Sequence, residues 1–146
     1  IRLWELGFET KLFTNAYVYH KRRIDWSKFY TQVSKFGKAR PILNHWYPKY
    51  SKLTFFLPTA FLFGIVLSAI AAYYKNYALL IVFICYFQLL FIVALLQTKS
   101  LKIGFLAVLA SAIQFYGYGM GFLKSFFLVQ VFKIKPQKAF PKLFFK

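Results

Sequence analysis

Three runs without a charged residue dominate the second half of the chain: 53–74, 77–97 and 103–123. At about 1.5 Å per residue, each is long enough to cross a hydrocarbon core of about 30 Å. None shows a polar face at helical spacing, so each reads as a membrane span rather than as a surface helix. Only Lys75 and Asn76 separate the first run from the second, which predicts a tight antiparallel hairpin. Pro58 falls in the first turns of its run, where a missing N–H costs little. The third run ends near Gly117-Tyr118-Gly119-Met120-Gly121, and glycines so spaced permit close helix packing or a kink.

The pattern changes ahead of the spans. Trp26, Phe29, Tyr30, Val33 and Phe36 recur at the spacing of one helix face, with Lys28, Lys35 and Lys38 on the other side. Asp25 is placed to cap this helix, and Pro41 is expected to end it near Arg40. A basic helix with an aromatic face suits the plane of the lipid headgroups, and packing on a further domain is a compatible alternative. Residues 41–52 read as an irregular linker, with His45, Trp46 and Tyr47 at headgroup depth. Further back, residues 1–6 resemble the last turns of a helix closed by Gly7. Ala16 to Tyr19 is rich in strand formers and predicts a short strand ending at His20. Helix, glycine turn and strand make up the repeating unit of an α/β domain, here reduced to its last piece. The chain opens on Ile1 with no leader pattern, and further sequence is expected upstream. The expected division is the end of an α/β domain (1–23), an amphipathic interfacial helix and linker (24–52), a transmembrane region (53–123) and a basic tail (124–146). The class is mainly α, in a membrane.

Charge sharpens this picture. The net charge is +17, and the only carboxylates are Glu5, Glu9 and Asp25. A soluble surface mixes both signs, so an ordinary soluble domain is excluded. Eleven of the twenty cations lie in residues 1–52 and six in 124–146, beside the apolar runs. That clustering points to lipid surfaces, and no spacing for base stacking or groove reading supports nucleic acid. The lysine and arginine bias places 1–52 and the Lys99/Lys102 turn in the cytoplasm and Lys75 outside. Three crossings then put the basic tail outside, against the same rule. Either the third segment is partly re-entrant or interfacial, or the tail does not decide the topology. Cys85 stands alone in an apolar run and reads as a small buried hydrophobe.

Few residues invite chemistry. His20 has no second His, Cys or carboxylate at ligand spacing beside it. Lys21, Arg22 and Arg23 read equally as a phosphate clamp or as a positive-inside anchor. Gln32 and Lys35, one turn apart and followed by Phe36, can offer an amide and an ammonium to a diphosphate, or simply form a solvated face. Gln88 and Gln114 suit hydrogen bonds between helices. No carboxylate pair, nucleophile elbow, glycine-rich loop or metal cluster is complete, so no catalytic residue is assigned.

In their order, these segments resemble the C-terminal part of membrane-anchored bacterial family 2 glycosyltransferases, the inverting GT-A enzymes of exopolysaccharide and cell-surface glycan synthesis. Arg2, Leu3 and Gly7 match the family's Arg-Leu-x-x-x-Gly segment, which follows a Glu-Asp catalytic base. Val18 and His20 match its Val-x-His. Gln32, Lys35 and Phe36 occupy the Gln-x-x-Arg-Trp pattern of processive relatives, with Lys for Arg and Phe for Trp. The resemblance implies a nucleotide-sugar donor, a lipid-linked or glycan acceptor, and a Mg2+ or Mn2+ ion whose diphosphate complex His20 helps bind. Lys21, Arg22, Arg23, Gln32, Lys35 and Phe36 would then lie on the diphosphate and acceptor side. The Asp-x-Asp metal site and the base would precede Ile1, at the cytoplasmic face of the bacterial inner membrane, leaving this stretch silent alone. The rival expectation is a small non-enzymatic polytopic protein whose basic ends bind anionic lipid or a partner protein.

Overall fold

The computed structural model describes residues 2–19 and 25–144. All regular elements among them are helical: α1 (Arg2–Glu5), α2 (Trp26–Trp46), α3 (Leu57–Tyr73), α4 (Ala78–Thr98), α5 (Leu101–Ser125), α6 (Pro136–Ala139) and α7 (Pro141–Phe144). Short 3-10 turns at Pro48–Tyr50 and Leu53–Phe56 lead into α3, and a π-helical stretch, Phe126–Val131, prolongs α5.

The helix end expected near the start is present. Gly7 has φ +82°, the Trp4 carbonyl accepts from Gly7 N–H at 3.1 Å, and the Leu3 carbonyl accepts from Phe8 N–H at 3.0 Å. Those two bonds satisfy carbonyls that the last turn leaves free. The strand expected at Ala16 to Tyr19 does not form. Tyr17, Val18 and Tyr19 are 72, 88 and 95% exposed. A strand needs a ladder partner for its N–H and C=O groups, and no described segment supplies one. Residues 2–19 therefore carry no α/β layer, and the described part of the fold is purely helical.

α2 begins as expected, because Asp25 Oδ1 accepts from Ser27 N–H at 2.7 Å and from Lys28 N–H at 3.1 Å. A cap of this kind contributes about 1 kcal/mol. The helix does not stop at Arg40. It continues through Pro41 to Trp46, so the first half of the expected linker is helical. An interior proline forfeits the bond to the carbonyl four residues back and crowds it. Here that residue is Gly37, which has no side chain to add to the crowding. Pro41 is fully buried, and its own carbonyl accepts from Gln130 Nε2 at 3.3 Å. Packing thus overrides the local signal.

α2 lies along the second half of α5, and the two run parallel. Tyr30 stacks near Tyr116, Gly37 abuts Tyr118 and Phe122, and Ile42 packs with Val129 beyond the end of α5. The face that α2 buries is Val33, Ser34, Gly37, Pro41, Ile42 and Asn44. The expected apolar face is buried only in part: Val33 is buried and Tyr30 lies against Gly117 and Tyr116, whereas Trp26 and Phe36, 41 and 59% exposed, turn outward. Small residues win the interface because they let two backbones approach.

The tail does not hang free. Phe140 joins Ile42 and Val129 in a buried cluster, and Trp46 meets Phe144 edge to face at 5.9 Å. Pro136 and Pro141 each start a short helix, where a proline's fixed φ is an advantage.

Three helices are long and apolar enough to cross a membrane: Leu53–Tyr73, Ala78–Thr98 and Leu101–Val131. The third is longer than the uncharged run because Ser100 Oγ caps it by accepting from Ile103 N–H at 3.4 Å. Lys102 and Lys124 are tolerated inside it because long ammonium side chains reach away from apolar surroundings. It is continuous, with no re-entrant break. No residue of α4 is buried, and Ile81, Val82, Leu89 and Leu96 all face outward, which suits lipid rather than water.

Aromatic contacts fix the order of the ends. Phe91 meets Phe105 and Tyr86 meets Phe115, so α4 is antiparallel to α5. Phe61 stacks on Phe115 at 4.0 Å and Phe56 meets Phe122 at 5.0 Å, so α3 starts beside the C-terminal part of α5. From Leu101 to Phe122 is about 30 Å along a helix. Residues 25–58 and the tail therefore gather at one end of α5, and Lys99 and Lys102 stand at the other. The lysine and arginine bias places 1–52 beside the Lys99/Lys102 turn and leaves the side of the tail open. The helix contacts pair the ends differently and bring the described cations of 25–52 to the same end of α5 as those of the tail.

Candidate functional site

The junction of α2 with the end of α5 is built on glycine. A Cβ added at Gly37 would collide with the carbonyl of Tyr118, and one at Gly121 would lie 2.5 Å from the carbonyl oxygen of Ser34. At Gly117 it would meet Val33 Cγ2 at 2.7 Å and the Tyr30 ring at 3.1 Å. Gly119 points elsewhere, against Leu62 and the Pro58 carbonyl, and so holds the start of α3 to the same stretch of α5. The close packing that the sequence allowed for these glycines is realised on two faces at once.

That contact leaves the outer side of α2 free for chemistry. Gln32 is half-buried, while Lys35 and Phe36 are exposed. The three therefore share one helical turn on a helix whose inner face is locked to α5. His20, Lys21, Arg22 and Arg23 lie outside the described residues. They precede the Asp25 cap, so in sequence they stand just ahead of the positive end of the α2 dipole. Among the described residues no three His, Cys, Asp or Glu side chains come together to hold a metal ion.

Three cations that the sequence reading did not single out also gather here. Arg40 lies over the Phe55 ring, 3.7 Å from its centroid, a cation–π contact that ties α2 to the turn before α3. Lys38 sits beside Lys35 on α2 and close to Lys124 on α5. Burial first, and then the positive charges of Lys124 and Lys35, hold its ammonium below the usual lysine range. The signal for this cluster was the absence of any carboxylate after Asp25.

Away from this junction, an open apolar cleft of about 790 Å³ lies between α3, α4 and α5. Phe83, Phe87, Phe91 and Phe105 line it, with Ser68 and Gln88 as its polar side chains. The Ser68 hydroxyl donates to the Ile65 carbonyl at 2.7 Å, which leaves it only as an acceptor. Gln88 thus lines a cleft between the helices. Cys85 is exposed on the surface of α4, not buried as expected, because that helix packs on too few neighbours to cover it. No family model matches the chain, and neither does any curated protein or solved structure.

Proposed function

We propose that this chain is the membrane-anchoring C-terminal part of an inverting family 2 glycosyltransferase, acting at the cytoplasmic face of the bacterial inner membrane. One observation above all supports it. Gln32, Lys35 and Phe36 are carried on a helix that is clamped to a membrane helix, immediately after the Val18-x-His20 segment. A catalytic domain joined at this point would be held at the membrane surface with its diphosphate side facing α2.

In this reading the chain supplies position and charge, not the base. Lys21, Arg22 and Arg23 raise the positive potential where a leaving diphosphate develops charge. Lys35 adds a further ammonium and Gln32 an amide on the acceptor side, while Phe36 gives a flat apolar surface for a sugar ring or lipid. The bound divalent ion would supply charge neutralisation, and its carboxylate ligands would come from sequence ahead of Ile1. The apolar cleft gives room for the hydrocarbon of a lipid-linked acceptor. The gathered cations of 25–52 and the tail favour the cytoplasmic side for this end.

The test is transfer itself. Membranes containing the full-length protein would be supplied with labelled nucleotide-diphosphate sugars and magnesium or manganese. Label is expected in a lipid or glycan fraction, with the anomeric configuration inverted relative to the donor. A silent panel of donors, from a protein that is correctly inserted, would favour the non-enzymatic alternative.

A further inference from the structure

The lysines at the junction are a site in their own right. Lys35 and Lys38 are neighbours across one turn of α2. Gly121 brings α5 so close that a Cβ there would lie 3.2 Å from the Lys38 amide nitrogen. Lys124 follows one turn later on α5, and it is near enough to act on the Lys38 ammonium. Glycine packing has therefore forced like charges together instead of letting them spread. No Asp or Glu follows Asp25, and the Asp25 carboxylate already accepts from two amides of α2. Lys38 thus feels two further ammonium groups, one from each helix, and like charges so placed repel unless an anion stands among them.

We propose that Lys35, Lys38 and Lys124 form a phosphate site, filled by the headgroup phosphate of an anionic membrane lipid. A phosphate presents several oxygens to separate point charges, which suits lysines on two different helices. Lys124 ends the uncharged part of α5, so the cluster lies where acyl chains give way to headgroups. The exposed rings of Phe36 and Phe127 are beside it in sequence and offer apolar surface to the chains of such a lipid. The site does not depend on the sugar-transfer proposal, and it would bind whether or not the protein is an enzyme.

The test uses the full chain in neutral detergent, titrated with phosphatidylglycerol or phosphatidylcholine and read by native mass spectrometry. Lys38→Gln/Lys124→Gln is compared with Lys99→Gln/Lys102→Gln, which removes the same charge at the far end of α5. Phosphatidylglycerol affinity is expected to fall about thirtyfold in the first pair, from roughly tenfold or less per lysine at a membrane surface. It should hold in the second pair, with phosphatidylcholine unchanged throughout. Equal loss in both pairs, or no loss in either, overturns the site. A parallel titration with inorganic diphosphate separates the sources. Tight diphosphate binding without lipid binding would overturn the lipid assignment in favour of a soluble phosphate.

Discussion

Gly37→Val is expected to detach α2 from α5 and to lower stability by about 3–5 kcal/mol. The size follows from what the new side chain would meet. Its Cβ would run into the Tyr118 carbonyl, with the Phe122 amide nitrogen 3.0 Å away, and both are backbone atoms of a long helix. A flexible side chain in that position would swing aside, and overpacking of that kind costs only about 1–3 kcal/mol. Gly119→Ala provides the comparison, because its nearest neighbour is the end of the Leu62 side chain. Detergent-solubilised Gly37→Val should melt well below the parent, and trypsin should cut at Lys28 and Lys35 much faster. Gly119→Ala should change both far less. An unaltered melting temperature for Gly37→Val would mean that the two helices are not packed as described.

The second large effect follows from the sugar transfer proposed above. In the full-length protein, His20→Ala is expected to lower turnover by roughly two to three orders of magnitude, or about 3–4 kcal/mol of barrier. A leaving diphosphate gathers charge in the transition state, and a group that holds it acts mainly there. The loss should therefore fall on kcat more than on KM, and membrane insertion should be unchanged. His20→Gln, which keeps a hydrogen-bonding group, should recover only a small part. Turnover equal to the parent would remove His20 from the site and leave Lys21, Arg22 and Arg23 as an anchor.

Much of the helical architecture was legible from the distribution of charge alone. Runs without charge gave α3, α4 and α5 to within one to four residues at each end. The differences arose where a helix takes in a lysine that can reach outward, as at Lys102 and Lys124. The Asp25 cap and the Gly7 closure were legible because each is a local matter of one side chain and a few amides. Three other features were not local. Pro41 reads as a helix stop until it is known that Gly37 lies one turn back and that α5 buries the proline ring. The aromatic stripe of α2 reads as its packed face until Gly117 and Gly121 are seen to turn the helix, so that Ser34, Gly37 and Pro41 share the contact with Tyr30 and Val33 and leave Trp26 and Phe36 outside. The segment Ala16 to Tyr19 has the right side chains but no partner among the described residues, and composition cannot show whether a ladder is completed. The candidate site was legible only in part for the same reason. Gln32, Lys35 and Phe36 are adjacent in sequence, whereas Lys38 and Lys124 meet only through glycine contacts between distant helices.

Everything proposed for this junction requires α2 to lie against the end of α5, parallel to it, in the membrane-bound protein. Tyr30 and Tyr116, whose rings are 6.2 Å apart, report on that most directly. With Cys85 replaced by serine, the pair Tyr30→Cys and Tyr116→Cys would be treated in native membranes with a short bismaleimide. An intramolecular cross-link is expected for this pair and not for Tyr30→Cys with Tyr73→Cys. Failure of the first pair to link, with both cysteines open to a monofunctional maleimide, would contradict the docking of α2 on α5.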